Sequence, residues 1–239
     1  MDQPQIISPE KIRLAKEMAK RGISRRQAEQ YIQQGRVHVN GCVILTPIFF
    51  ASSHDLITID KHPIERPPLK IWSFYKKVGL ITSHRDPQGR PTVFDFVKKK
   101  IDIDHVLSVG RLDINSEGLL LLSNDPSFVH EAEHAKNKWP RVYRVRFLGP
   151  VEPLLTLKSP LSIHGIIYHI KIVDAQKTDG ANHWATVELH EGKNREIRKI
   201  FEFLKLRVNR LIRIQYGPYE LCHLKPGELR QERQPTNEI

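Results

Sequence analysis

The four leucines Leu119–Leu122 constrain this chain more than any other stretch, because an unbroken apolar run of strand length reads as the interior of a sheet, buried on both faces. The run is led into by Gly110-Arg111-Leu112-Asp113, which sets a charged pair at its lip. An aspartate there has two explanations. It is a turn residue that bonds its own backbone ahead of the strand, or a carboxylate fixed on rigid scaffold and facing a cleft, with Arg111 helping to keep it ionised. An ionised carboxylate can attack carbon, take a proton or stabilise a cationic centre, and at a glycosidic carbon it works against an oxocarbenium-like transition state. Spacing alone does not choose between these.

The charge distribution adds a partner class. The 239 residues carry a formal net charge of +11. Residues 11–40 and 193–213 each hold eight Lys/Arg against two Glu, so these two stretches account for the whole excess. Two separate basic patches favour a polyanion, and nucleic acid is the abundant one. No run approaches the roughly eighteen apolar residues of a membrane helix, and Met1–Gln5 lacks a signal-peptide layout, so the expected address is the cytoplasm. Cys42 and Cys222 stand 180 positions apart without a Cys/His cluster, which predicts reduced, partly buried thiols.

Local signals divide the chain. Ser8-Pro9 is expected to open a helix that Gly22 closes, and Ser24-Arg25-Arg26-Gln27 has capping-box spacing for a second helix with Ala28, Tyr31 and Ile32 on its apolar stripe, ended by Gly35. Asn40-Gly41 between Arg36–Val39 and Cys42–Leu45 signals a hairpin, with a further strand at Leu56–Asp60. Three prolines within Lys61–Leu69 suggest an extended linker. Beyond it, strands are expected near 70–76, 79–83, 141–148, 166–176, 183–190 and 207–216. Helices are expected near 92–100 and 126–135 and from an Asn194 cap to about 205. The predicted class is α+β: a small N-terminal α/β domain at residues 8–62, a linker at 63–69, a mainly antiparallel-sheet domain at 70–230 and a polar tail at 231–239.

Two blocks carry a resemblance. The run from Ile12 through GISRRQAEQYIQQGRVHVNG resembles the alpha-L RNA-binding domain, on its Ser-Arg-Arg helix start and Gly-Arg-Val-x-Val-Asn-Gly hairpin. Gly110-Arg111-Leu112-Asp113 with Ser116-Glu117-Gly118-Leu-Leu-Leu-Leu-Ser-Asn-Asp is similar to the catalytic motif of bacterial ribosomal RNA pseudouridine synthases of the RsuA/RluB type. That family pairs the motif with an N-terminal alpha-L domain. Tyr75-Lys76 with Gly79–Ser83, Arg141-Val-Tyr143-Arg-Val and Glu191–Arg198 extend the likeness to about residues 11–230.

The resemblance implies isomerisation of a uridine in ribosomal RNA to pseudouridine. Asp113 would be the essential carboxylate, Tyr143 would stack on the uracil and Arg198 would pair with Asp113. Arg25, Arg26, Arg36, Lys76, Arg111, Lys193, Arg195 and Lys199 would contact RNA. The helical wheel puts Arg198 on the flank beside Ile197, Ile200, Phe201 and Leu204, whereas Arg195 and Lys199 point nearly opposite, toward phosphates or solvent. An isomerisation of this kind needs no cofactor, and nothing in the residues asks for more than a monomer. The rival is a non-catalytic RNA-binding or ribosome assembly factor on the same fold, which has no need of Asp113.

Two features sit outside this picture. His130-Glu131-Ala132-Glu133-His134 spells a zinc-peptidase signature, but only three positions are fixed in a chain with 12 His, and no third ligand follows at a characteristic spacing, so no metal is expected. The chain also departs from the family pattern at Lys77, Ser116, Pro126, Arg141 and Glu196. Glu196 is the departure with chemical consequence, because it sets a negative charge beside the expected RNA-facing helix.

Overall fold

The computed structural model describes residues 10–101 and 105–234. They divide into two compact units. One runs up to Leu69 and includes Asn124–Ser127, and the other comprises Lys70–Ser123 and Phe128 onward.

In the first unit, β1 (Ile12–Arg13) leads into α1 (Leu14–Lys20), and α2 (Arg25–Gln33) follows. The helix expected from Ser8 begins later. Ser8 and Pro9 lie outside the described residues, and Ile12–Arg13 is drawn into an antiparallel pair with β4 (Phe50–Ala51), so α1 starts only at Leu14. The capping box of α2 forms as its spacing predicts, with Ser24 and Gln27 each accepting from the other's backbone N–H. A four-stranded sheet is built from β2 (Val37–Val39), β3 (Cys42–Val43), β5 (Ile57–Ile59) and β6 (His62–Pro63) in the order β3-β2-β5-β6. Asn40 and Gly41 both take positive φ, 50° and 86°, which a two-residue hairpin between β2 and β3 requires. Pairing of β6 with β5 carries the sheet into the segment expected as linker, since His62 can still reach Ile59 across a tight turn. Leu14, Met18, Ala28, Ile32, Val37 and Ile57 close the core.

The second unit is built on a sheet whose strands run β13-β14-β10-β15-β9-β7-β17, with β8 also on β9 and β16 on β15. In chain order these are β7 (Ile71–Lys76), α3 (Val93–Val97), β8 (Leu107–Val109), β9 (Glu117–Ser123), α4 (Pro126–Glu133), β10 (Arg141–Leu148), α5 (Glu152–Leu155), β11 (Leu161–Ile163), β12 (Ile166–Tyr168), β13 (Lys171–Gln176), β14 (Asn182–Leu189), α6 (Glu196–Phe203), β15 (Arg207–Tyr216), β16 (Tyr219–Glu220) and β17 (Leu229–Glu232). Every residue of β9 is buried, as the leucine run demands, and each leucine so covered contributes about 1.5–3 kcal/mol. One core packs β7 and β9 against α3, and another packs β10, β14 and β15 against α6.

Several sequence expectations change here. Of 79–83 only Ile81 pairs, in a single bridge to Thr92, because Gly79 at φ 90° turns the chain away. Residues 166–176 form two strands rather than one. Gln231 and Glu232 belong to β17, paired to β7, and not to a polar tail. Arg195, in the left-handed region at φ 52°, stands where α6 begins, so Asn194 is not its cap. Cys42 and Cys222 are both exposed, because each sits on a short edge strand or turn with no core to enter.

One pairing departs from the antiparallel pattern. β9 and β15 run parallel, with Arg213 opposite Gly118. Gly118 has φ 101°, and a Cβ there would lie 2.3 Å from the Arg213 carbonyl oxygen. Gly118→Ala is therefore expected to destabilise the protein by about 3 kcal/mol, combining overpacking with backbone strain. Chemical denaturation measures it, and a loss below about 1 kcal/mol would show that the two strands can move apart.

Candidate active site

The turn between β8 and β9 is held from several sides before any side chain is considered. Thr82 Oγ1 donates to the Leu112 carbonyl at 2.9 Å, Glu133 Oε1 accepts from the Gly110 N–H at 2.7 Å, and Ser116 N–H donates to the Asp113 carbonyl at 3.0 Å. The Lys76 ammonium donates to the carbonyls of Asp113, Ser116 and Lys77 at 2.9, 2.8 and 3.1 Å. Burial pushes Lys76 down to about 8, opposed by the nearby Asp113 and Glu117 carboxylates, so it stays charged at neutral pH. With its backbone fixed and Leu112 buried, Asp113 turns its carboxylate outward, 40% exposed.

That carboxylate opens on a cleft of about 670 Å³, lined by Asp113, Arg111, Tyr143, Lys193, Arg195 and Arg198 among others. A separate groove of about 740 Å³ along β13 holds none of these residues. The partner of Asp113 in the cleft is Arg195, with Nη1 3.8 Å from Oδ2. Arg198 instead donates through Nη2 to the Asn115 carbonyl at 3.0 Å and through Nη1 to Val208 at 3.4 Å. Burial and the neighbouring Arg195 lower its pKa, while Asp113 raises it, so Arg198 feels the carboxylate without touching it. This departs from the pairing of Arg198 with Asp113 that the resemblance implies, and from the outward direction that the helical wheel gives Arg195. Arg195 precedes the first turn of α6 in a left-handed conformation, so the wheel angle assigned to it does not apply.

The remaining sequence candidates divide by burial. Tyr143 is half-buried on β10, opposite Arg213 of β15 and Val187 of β14, and packs against both cores of the sheet. Arg111 is exposed, and among the described residues it forms no ion pair with Asp113. Lys193 is held by an ion pair to Glu191 and lies over the Tyr168 ring at 5.6 Å. Lys199 is half-buried on α6 outside the cleft lining. Lys76 is fully buried and cannot meet a phosphate, because three carbonyls take its three donors. In the first unit Arg25 and Arg26 are exposed, whereas Arg36 makes a bidentate pair with Asp60 and stacks 4.4 Å over Tyr31.

Sequence reasoning passed over the residues that complete the cleft wall. Arg213 is 2% exposed, donates from Nε to the Leu119 carbonyl at 2.7 Å and lies 4.9 Å over the Tyr216 ring. Arg141 covers the same ring at 5.0 Å and donates to the Tyr216 hydroxyl at 3.1 Å. The alternation of β15, with Leu211 and Arg213 both inward, was the available signal for Arg213. Glu117 accepts from Arg210 and from the Tyr75 hydroxyl at the start of β9, and burial followed by the Glu117 charge raises the Tyr75 pKa. His130 and His134 lie with ring centroids 5.7 Å apart, and among the described residues no group of three or more His, Cys, Asp or Glu could hold a metal ion. Nor, among them, is any helix long and apolar enough to cross a membrane.

Comparison with known proteins covers both units. Residues 70–203 match the RNA pseudouridylate synthase family, and residues 12–57 match the S4 domain. An uncharacterized RNA pseudouridine synthase of Rickettsia prowazekii is 43% identical over 92% of this chain and 93% of its own length. The ribosomal large subunit pseudouridine synthase B of Pseudomonas aeruginosa is 35% identical over 95% of this chain and 61% of its own. A crystal structure of a pseudouridylate synthase, 23% identical, aligns over 93% of this chain and 96% of that one with a TM-score of 0.62, which supports the fold. The leucine strand and the Asp113 turn lie within the synthase match and the S4 match lies within the N-terminal unit, and the chain is a member of the RNA pseudouridine synthases.

Proposed function

We propose that the protein isomerises a uridine of ribosomal RNA to pseudouridine, with Asp113 as the catalytic carboxylate. The observation that carries this reading is the shared cleft: a half-exposed carboxylate on an immobilised turn, in a cleft lined also by Tyr143, Arg195 and Arg198. The substrate class is supported by the relative named as a ribosomal large subunit enzyme. The ribose–N1 bond breaks, the base turns while bound, C5 joins C1′, and the proton lost from C5 is balanced by one gained at N1. Asp113 acts at the sugar, as nucleophile on C1′ or as base toward a sugar proton, and both roles require it ionised.

The target base cannot react inside a stack, so it must leave it at a cost of a few kcal/mol. Stacking on Tyr143 offsets that by about 1–3 kcal/mol. Arg195 favours the charged form of Asp113 through proximity. Arg198 acts on the backbone, tying Asn115 to Val208 and so holding the far side of the turn. Exposed Arg25 and Arg26, with Lys11, Arg13 and Lys16, give the S4 unit a cationic surface for phosphates, with Glu17 buried against Arg21 and unable to offset it.

Asp113→Asn is expected to lower pseudouridine formation on the order of a thousandfold or more while leaving RNA affinity within about twofold. Carbodiimide labelling and primer extension on ribosomal RNA lacking pseudouridine provides the readout. A mutant as active as wild type would remove Asp113 from the chemistry, and a wild type inactive on every such RNA would favour the non-catalytic assembly factor. Charge reversal at Arg25 and Arg26 is expected to weaken RNA binding and to reduce the slope of log affinity against log salt by about 1–2. Unchanged affinity across the salt series would take the S4 surface out of substrate binding.

A further inference from the structure

The segment leading into α6 carries two carboxyl groups, Glu191 and Glu196, on one cleft wall. Glu196 is 4% exposed, and its Oε2 accepts from the Lys193 N–H at 3.1 Å, while its Oε1 is buried with no conventional partner. Glu191 lines the same cleft wall, and burial, followed by a side-chain hydrogen bond with Glu191, raises the Glu196 pKa. A buried carboxylate with one oxygen unmet is costly to leave charged, and two ionised carboxylates can only accept, so one of the pair carries a proton. Glu191 is the better-supported anion: Lys193 pairs with its Oε1, and the His169 N–H reaches the same oxygen at 3.4 Å. The proton therefore resides on Glu196.

Other charges crowd the same region. Arg195 and Arg198 stand on its own segment, Asp113 on the turn before β9, and Arg141 on β10, with Nη1 only 2.7 Å from where a Cβ on Gly192 would sit. Between the two carboxyl groups the chain passes through Arg195 at φ 52°, a conformation that a non-glycine residue holds only when its surroundings impose it. That conformation delivers the guanidinium to within 3.8 Å of Asp113.

We propose that Glu196 is a positioning residue acting as a neutral acid: the proton it shares with Glu191 clasps the turn ahead of α6 and holds Arg195 beside Asp113. The proposal rests on the reading of Asp113 as the catalytic carboxylate. Burial first, then the Glu191 carboxylate, pushes Glu196 up to about 7. Since this pKa is raised on folding, the clasp is complete at low pH and is lost as pH rises through that value, when two adjacent anions repel.

The test compares kcat/KM from pH 6 to 9 for wild type and Glu196→Gln, whose amide donates to Glu191 without a titrating proton. Between pH 6.5 and 8.5 the wild type is expected to fall on the order of tenfold and E196Q less than twofold, with similar rates at pH 6.5. Glu191→Gln, which lets an amide donate to an ionised Glu196, should flatten the profile as well and serves if E196Q folds poorly. In an Arg195→Ala background the two Glu196 forms should show the same profile. Parallel profiles for wild type and E196Q would overturn the proposal. The infrared difference between wild type and E196Q at pH 6.5 should contain a protonated carboxyl band. Its absence would overturn the clasp whatever the activity, which separates that failure from a failure of Asp113.

Discussion

A buried ammonium organises this site. Lys76 ends β7, fully enclosed, and its three donors go to carbonyls rather than to a carboxylate. Removing such a charge from water is costly unless every donor is met, so the turn containing Asp113 and Ser116 has to stay where its carbonyls converge. The turn satisfies the lysine, and the lysine immobilises the turn. The Asp113 side chain is then free to face outward because its backbone is already committed.

Much of this was readable from residue order where the signal is local. The Asn40-Gly41 hairpin, the Ser24–Gln27 capping box and the alternation of Arg141–Leu148 depend on neighbours a few positions apart, and all three stand as their spacing implies. The two-sided burial of Leu119–Leu122 follows from composition alone. What escaped depends on distant partners. β8 and β17 are short and owe their existence to β9 and β7. The resemblance implied that Lys76 contacts RNA, and a strand's own sequence cannot announce the Asp113 and Ser116 carbonyls that enclose it. Arg195 was assigned a helical direction that its left-handed backbone does not have, and this is why it and Arg198 exchange places beside the carboxylate.

The electrostatic design of the cleft is a graded one. Fully buried cations, Lys76 and Arg213, bond to backbone carbonyls and shape the wall. Arg198, half-buried, also spends its donors on backbone. Arg195 and Arg111 are the most exposed, and Arg195 turns toward the Asp113 carboxylate rather than to backbone. The cations bonded to backbone are thus the buried and half-buried ones, and the exposed ones lie around the outward carboxylate of Asp113.

The parallel contact of Gly118 with Arg213 carries a temporal consequence. These residues are 95 positions apart, and the strand bearing Arg213 follows the turn and helix that supply Arg195 and Arg198. Closing so long a loop is slow, and no shorter-range pairing can stand in for it. During synthesis the chain can therefore complete the S4 unit, with its cationic face, long before any cleft exists. The protein would be able to hold RNA while still unable to alter it, and the last central strand to dock would turn a binder into an enzyme.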